Sequence, residues 1–513
     1  MNHSTRCPPD IIFSPKYLLE VSDNGDTIRL VEGSSVPASE YCALSYVWGQ
    51  SSTTTAPKQH QLTSSTYDRF ITGFPVNELP AVLRDATRVV RLLDQRYLWI
   101  DALCIMFDDE EDKLSQIREM DKIYSGASLT IVAASSNSYN ESFLHREHGE
   151  PLILRRPQRV DQQDSTNDEY GAAVQSHAWQ SSVWNSRTWT VAEASFGNSR
   201  AWKSPETSRW NSRGWTFQER ILSKRCLIFS HQELIWECSA SRACECSDIS
   251  PNNDVIWDSP VDKKMWHRLV EEYTTRHLTF NRDRLLAFAG IASRFSKLNS
   301  WTYVAGLWRE EIEYDLCWKV SSKVQQKILQ RSDGYIAPSW SWASCSVPVS
   351  YHAVQSLPWL NSGNPSGSKI TVLSADDRHL RIVASMIEVK AYVSPTENGE
   401  IELKLAGLSE NYDWITHLQC LSDCNMEPAE LQTLEITSSR SPVSIQSEFD
   451  KLTRGNRSVF LMPIARLASG VFVLIITRSK EDPETYIRVG CTTVDDGIWT
   501  QFSFQNTREI VLG

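Results

Sequence analysis

The apolar positions of the chain fall into short continuous runs separated by stretches with helical spacing. Tyr41-Cys42-Ala43-Leu44-Ser45-Tyr46-Val47-Trp48-Gly49 is apolar and aromatic, ends in glycine, and predicts a buried strand. Leu79-Pro80 then opens a helix, with Leu83, Ala86, Val90 and Leu93 on one face and the proline near its first turn. Tyr97-Leu98-Trp99-Ile100 predicts a second buried strand, ending at Asp101-Ala102-Leu103-Cys104. The acidic segment 108–112 suits a helix N-terminus, and Leu114, Ile117, Met120 and Tyr124 continue that helix. Residues 128–134 make a third strand. Strand, helix, strand, helix and strand in so few residues argue for a parallel α/β sheet.

Residues 136–210 are polar and irregular and read as an insertion at the sheet edge. Two strands follow, over 226–230 and 233–238. From 261 to 329 helical spacing dominates, as in Leu285, Phe288, Ile291 and Ala292, until Ala337-Pro338-Ser339-Trp340-Ser341-Trp342-Ala343-Ser344 breaks it. Beyond this block come strand-like runs at 369–373, 380–384, 401–405, 459–463, 471–477, 486–491 and 499–504, the pattern of a mostly antiparallel β domain. The expected organisation is therefore a lead-in over 1–40 with a strand pair near Thr27-Ile28-Arg29-Leu30-Val31, and an α/β domain over 41–250 carrying the insertion 136–210. A helical segment over 251–345 and a C-terminal β domain over 346–513 complete it. No internal repeat of fixed period is present.

Composition narrows the function classes. A chain of 513 residues, 41% hydrophobic and 22% charged, is long enough for two or three ordinary globular domains. A net charge of −11 argues against broad nucleic-acid binding. No segment reaches the roughly 18 uncharged apolar residues of a spanning helix, and the first 15 residues lack a signal-type apolar core, so no membrane span is expected. Twelve cysteines spread over this length form no dense disulfide framework, and a reducing, cytoplasmic setting is expected. Nineteen tryptophans, with Trp48, Trp99, Trp215, Trp236, Trp340 and Trp342 in motif-like clusters, point to thick aromatic packing or a ligand groove.

The densest candidate chemistry lies in Ser212-Arg213-Gly214-Trp215-Thr216-Phe217-Gln218-Glu219-Arg220-Ile221-Leu222. Trp215 and Glu219 are four residues apart and share a helix face, and a carboxyl beside an indole is raised towards a useful acid–base range. The alternative is a capping box in which Glu219 reaches back to the amide of Thr216. Arg213 and Arg220 suit phosphate binding or ion pairs with acidic loops. Asp101 and Cys104 end a strand; the cysteine would need an activating base such as His60 or His231 to act as nucleophile, and otherwise reads as a buried thiol. Asp101 reads more readily as a loop tie accepting backbone amides. Cys226, His231, Cys238, Cys244 and Cys246 lack the paired short spacings of a zinc site, so no metal is expected. The acidic run 108–112 lacks a cation-loop pattern, and no glycine-rich phosphate loop occurs.

Several of these blocks resemble the HET (heterokaryon incompatibility) domain proteins of filamentous fungi. The blocks are Ala43-Leu44-Ser45-Tyr46-Val47-Trp48-Gly49, Leu79-Pro80 through Asp85-Ala86, Tyr97 through Ile105, Gln116 through Ile123-Tyr124, and Arg213 through Glu219. Leu278-Thr279 through Asp283, Ala305-Gly306-Leu307-Trp308 and the block from Ala337 to Ser344 continue the likeness. The resemblance implies a role in non-self recognition and regulated cell death, and a fold similar to Toll/interleukin-1 receptor (TIR) domains, a flavodoxin-like parallel α/β sheet. Many TIR domains cleave NAD⁺ at the nicotinamide–ribose bond with a glutamate on a helix after a tryptophan. Trp215 and Glu219 keep that spacing, with Ser212 one position further away than in TIR domains. Carried over, Glu219 would orient the ribose hydroxyls and stabilise an oxocarbenium-like transition state. Trp215 would stack on the base, and Ser45 and Trp48 would lie at the ligand-binding edge of the sheet.

NAD⁺ is thus a candidate substrate of a glycohydrolase-type activity, with no cofactor firmly implied. Partners implied are a second copy, another incompatibility protein, or a small molecule. One departure stands out: Met106 and Phe107 replace the polar Asn-Gln pair that family members place after the Asp-x-x-Cys-Ile block. That substitution keeps open an enzyme of secondary-metabolite biosynthesis acting on an apolar small molecule. A non-enzymatic interaction module is the other alternative.

Overall fold

Every residue of Cys42–Ser45 and of Leu129–Val132 is buried, as central parallel strands covered on both faces require. The computed structural model describes residues 12–48, 60–145, 208–231, 234–238, 241–244, 247–251, 261–321, 335–351, 370–395, 401–406, 458–467, 470–479, 481–494 and 507–513. The chain divides into one unit of Met1–Val261 with Phe288–Ile291 and a second of Asp262–Ala287 with Ala292–Gly513.

The first unit contributes strands Tyr17–Val21 (β1), Thr27–Glu32 (β2), Cys42–Ser45 (β3), Phe74–Pro75 (β4) and Tyr97–Trp99 (β5). Leu129–Val132 (β6), Arg225–Phe229 (β7), Leu234–Cys238 (β8), Ser241–Cys244 (β9) and Ser247–Pro251 (β10) follow. Its helices are Tyr67–Thr72 (α1), Ala81–Leu92 (α2), Asp101–Cys104 (α3), Glu110–Arg118 (α4), Met120–Gly126 (α5), Arg209–Ser212 (α6) and Gly214–Leu222 (α7). The strands form one sheet in the order β10-β9-β8-β7-β6-β3-β5-β1-β2-β4. Only its centre, β5-β3-β6-β7, is parallel. The wings are antiparallel; in the hairpins β1–β2 and β7–β8 the connection is too short to carry a parallel crossover. The sheet is therefore mixed rather than purely parallel, and the lead-in supplies two of its strands.

Two local expectations need correction. The run 41–49 keeps strand pairing only to Ser45, which lies opposite Val132 at the end of the ladder; Tyr46 and Trp48 turn instead towards Asp101. The single helix expected after the acidic segment is two, α4 and α5, parted at Glu119. Leu114, expected on the buried face, is 44% exposed. Asp112 is buried in its place, accepting from Lys16 Nζ at 2.6 Å and from the Met106 amide at 3.1 Å. The acidic run does start a helix: Asp109 caps α4 by accepting the amides of Glu111 and Asp112, each at 3.0 Å. In α2, Asp85 accepts from Ser142 Oγ at 2.5 Å and from the Phe143 amide at 3.1 Å, fastening the loop that follows β6.

The second unit contains helices Lys263–Thr274 (α8) and Ile312–Asp315 (α10) and, from Ala292 on, Ala289–Asn299 (α9), with α9 and α10 separated by the hairpin Tyr303–Val304 (β11) and Leu307–Trp308 (β12). Lys319–Val320 (β13) pairs with Val349–Ser350 (β14). The segment expected to be helical is therefore interrupted by strands. Ile370–Ala375 (β15), Leu380–Ser385 (β16), Ile387–Pro395 (β17), Ile401–Ala406 (β18), Ser458–Leu467 (β19), Gly470–Arg478 (β20), Thr485–Val494 (β21) and Thr507–Leu512 (β22) build an eight-stranded sheet. It is antiparallel except where β21 meets β22. β20 is buried from Gly470 to Thr477, which explains its unbroken apolar run. The run expected at 499–504 and most of the insertion 136–210 lie outside the described residues.

At the β1–β2 end, Gly33 donates its amide to the Lys16 carbonyl at 2.9 Å, and a Cβ there would stand 1.7 Å from the Pro15 carbonyl oxygen. Gly33→Ala must therefore spread two paired strands. We expect a loss of about 1–3 kcal/mol, typical of overpacking, read as a lower urea midpoint at unchanged slope.

Candidate active site

The carboxyl of Glu219 lies at the carboxyl end of the central parallel strands. β5, β3, β6 and β7 run in spatial order while the chain visits β3 first, so the connections diverge on either side of β3 and β6. In open α/β sheets ligands bind outside the strand ends at such a switch point. Ser45, the last residue of β3, is fully buried there.

Helix α7 packs on β3 and α5. It begins after Arg213, and Thr216 donates its hydroxyl to the carbonyls of Trp210 at 2.6 Å and Arg213 at 2.9 Å. Glu219 does not close a capping box on Thr216. Its Oε2 accepts the hydroxyl of Ser45, and Ser45 Oγ in turn accepts the indole N–H of Trp210 at 2.7 Å. Tyr124 on α5 donates its hydroxyl to the Leu44 carbonyl at 3.1 Å and also reaches the Glu219 carboxyl. Glu219 is 7% exposed. Burial pushes its pKa up to about 7, opposed by the Ser45 hydroxyl, reinforced by the charge of Asp101, and opposed again by Arg213 and Tyr124. A carboxyl poised there exchanges a proton near neutral pH.

Asp101 opens α3. Its carboxylate accepts the Ala102 amide at 2.7 Å and the indole N–H of Trp48 at 2.8 Å, and the Tyr46 hydroxyl reaches it too. Burial nevertheless raises its pKa, those donors acting against the shift. Trp48 is half-buried between Tyr46, stacked at 6.4 Å, and Phe107 at 5.3 Å between ring centroids. The departure at Met106 and Phe107 thus places an aromatic ring against Trp48, while the loop's backbone is held by Asp112 and the Leu62 carbonyl.

The fold therefore brings Ser45, Trp48, Asp101, Arg213 and Glu219 into one neighbourhood, with Arg213 half-buried and its charge lowering both carboxyls. Trp215 is half-buried on the same helix. Cys104 is fully buried, and burial pushes its thiol up to about 12, so it stays protonated. His60 lies with Nε2 against the Glu78 carbonyl at 3.1 Å, and His231 is exposed. Arg220 pairs with Glu237 on β8 at 2.7 Å. Among the described residues no group of three or more His, Cys, Asp or Glu could hold a metal ion, and no helix is long and apolar enough to cross a membrane.

Tyr124, Tyr46 and Trp210 were given no role by sequence reasoning. Tyr124 lay in a helical pattern that explained it as core, and Trp210 fell inside the apparent insertion. Its one available signal was Ser208, which caps α6 by accepting the Asn211 amide at 3.1 Å and so marks an ordered element there.

A family model described as Heterokaryon incompatibility protein (HET) matches residues 41–193. That span contains Ser45, Trp48, Asp101 and Tyr124 and ends before Trp210 and Glu219. Heterokaryon incompatibility protein 6, OR allele, of Neurospora crassa is 36% identical over 102 residues, covering 19% of this chain and 14% of that protein. No solved structure matches the chain.

The raised pKa of Glu219 has a consequence for stability. Between its ordinary value of 4.5 and about 7 the folded protein keeps a proton that the unfolded chain has released, so stability falls as pH rises through this window. The full shift corresponds to at most about 3 kcal/mol. Glu219→Gln, neutral throughout, should gain stability relative to the parent protein between pH 5 and pH 8. Urea unfolding at the two pH values checks this, and an unchanged difference would contradict it.

Proposed function

We propose, from the match of residues 41–193 to the heterokaryon incompatibility family model, that the chain acts in fungal non-self recognition and regulated cell death by cleaving NAD⁺. The observation that carries the chemistry is the Glu219 carboxyl, held near a neutral pKa by burial and placed beside Ser45 at the switch point. The order of the four parallel strands, β5-β3-β6-β7, supports this reading, because flavodoxin-like sheets share such an order. In this reading the C–N bond to nicotinamide breaks with its electron pair on the departing base. The ionised Glu219 stabilises the cationic ribose, water adds to C1′, and the water's proton is released through the carboxyl. Arg213 supplies positive charge for the diphosphate, and the half-buried rings of Trp48 and Trp215 supply stacking surfaces. Cys104 belongs to the core in this scheme.

A second reading is an interaction module without turnover. It is favoured by the 7% exposure of Glu219 and by hydrogen bonds that all run inward. One experiment separates the two. Purified protein incubated with NAD⁺ should release nicotinamide, and Glu219→Gln should slow release by at least about 100-fold, the lower range for loss of an acid–base group. Equal rates in the two proteins would remove Glu219 from the chemistry. No release by the parent protein at concentrations where it self-associates would favour the second reading.

A further inference from the structure

The second unit encloses a positive charge that nothing in the described chain balances. Arg284 is 3% exposed. Its backbone is engaged, the amide donating to the Asn281 carbonyl at 3.0 Å and the carbonyl accepting the Tyr273 hydroxyl at 2.7 Å. Its guanidinium Nε is not. Nε is sealed from solvent and has no hydrogen-bond partner, and among the described residues no carboxylate pairs with the group. The ionisable groups in its field are the Tyr273 phenol, which burial holds protonated, and the Cys345 thiol.

A second arginine stands nearby. Arg276, 6% exposed at the end of α8, pairs with Glu272 at 3.1 Å, and its charge acts on the same Tyr273 phenol as that of Arg284. Two cations and the Asp283 carboxylate therefore act on one buried tyrosine, and Glu272 already serves Arg276. A buried, unpaired charge is strongly unfavourable unless a counter-charge reaches it. The planar donor fork of arginine is shaped for oxyanions, which it binds through paired N–H groups.

We propose that Arg284, with Arg276 beside it, forms a binding site in the second unit for a phosphate-type oxyanion, either inorganic phosphate or the phosphate group of a small metabolite. The Tyr273 hydroxyl fixes the loop that presents Arg284. The site is independent of Glu219 and of any nucleotide cleavage in the first unit.

The test uses the full chain, dialysed free of phosphate. At constant ionic strength, titrated phosphate should raise the melting temperature saturably, whereas chloride should not. Arg284→Met should abolish that rise. In phosphate-free buffer it should melt no lower than the parent protein, because an uncompensated charge has been removed. Calorimetric titration of the unmodified protein with phosphate and with a nucleoside monophosphate needs no variant. At least ten-fold tighter binding of the monophosphate identifies a phosphorylated metabolite as the ligand, and comparable binding identifies inorganic phosphate. A melting temperature indifferent to phosphate, an equal rise in Arg284→Met, or no saturable heat with either ligand overturns the proposal.

Discussion

The hydrogen bond between the Ser45 hydroxyl and the Glu219 carboxyl is the contact on which the first unit's arrangement turns. Ser45 ends a strand buried on both faces, so its hydroxyl must find a partner inside the protein. Glu219 comes from a helix whose Phe217, Ile221 and Leu222 are also buried, and it is itself only 7% exposed. Each group satisfies the other. Trp210 from α6 and Tyr124 from α5 close the set, and Tyr124 is itself anchored to the backbone of β3. Four elements from three separate parts of the chain thus meet at one carboxyl, and the low polarity that holds them also lifts its pKa to about 7.

The fold was legible wherever burial imposes a simple pattern. β3, β5 and β6 stood out because two-sided burial makes an apolar run, and α2 because Leu83, Ala86 and Val90 repeat along one face. Illegible were features set by partners far along the chain. Leu114 looked like a core residue, yet Asp112 faces inward because Lys16 and the Met106 amide satisfy it. β22 was missed because Arg508 and Glu509 interrupt any apolar run, and β17 although Ile387, Val389, Ala391 and Val393 alternate along it. At the site, Glu219 was legible from its spacing to Trp215, but its partners were not. Ser45 is 174 residues away and Trp210 sat in polar surroundings.

The second unit answers the tryptophan excess with packing. Trp266 meets Trp308 at 4.8 Å and Phe295 at 5.2 Å between centroids, and Trp342 donates its indole N–H to the Gly306 carbonyl at 2.6 Å. Gly306 has φ +99, a conformation that suits glycine, and a Cβ there would meet that indole nitrogen at 2.9 Å. The downstream Ala305-Gly306-Leu307-Trp308 and Ala337 to Ser344 blocks are therefore two halves of one aromatic joint. Arg488, fully buried over Trp318 at 3.6 Å, donates to the Leu316 carbonyl at 2.9 Å and also to that of Trp318, tying β21 to the segment after α10.

Whether a buried acid beside a serine holds its proton near neutrality is best measured on that proton. Infrared difference spectra between the parent protein and Glu219→Gln isolate the C=O stretch of the protonated Glu219 carboxyl, and its intensity can be followed from pH 4 to pH 9. The structure predicts a band that disappears with a midpoint near pH 7. A band already gone by pH 5 would mean an ordinary, solvated carboxylate, and the arrangement around Ser45 would lose its chemical meaning.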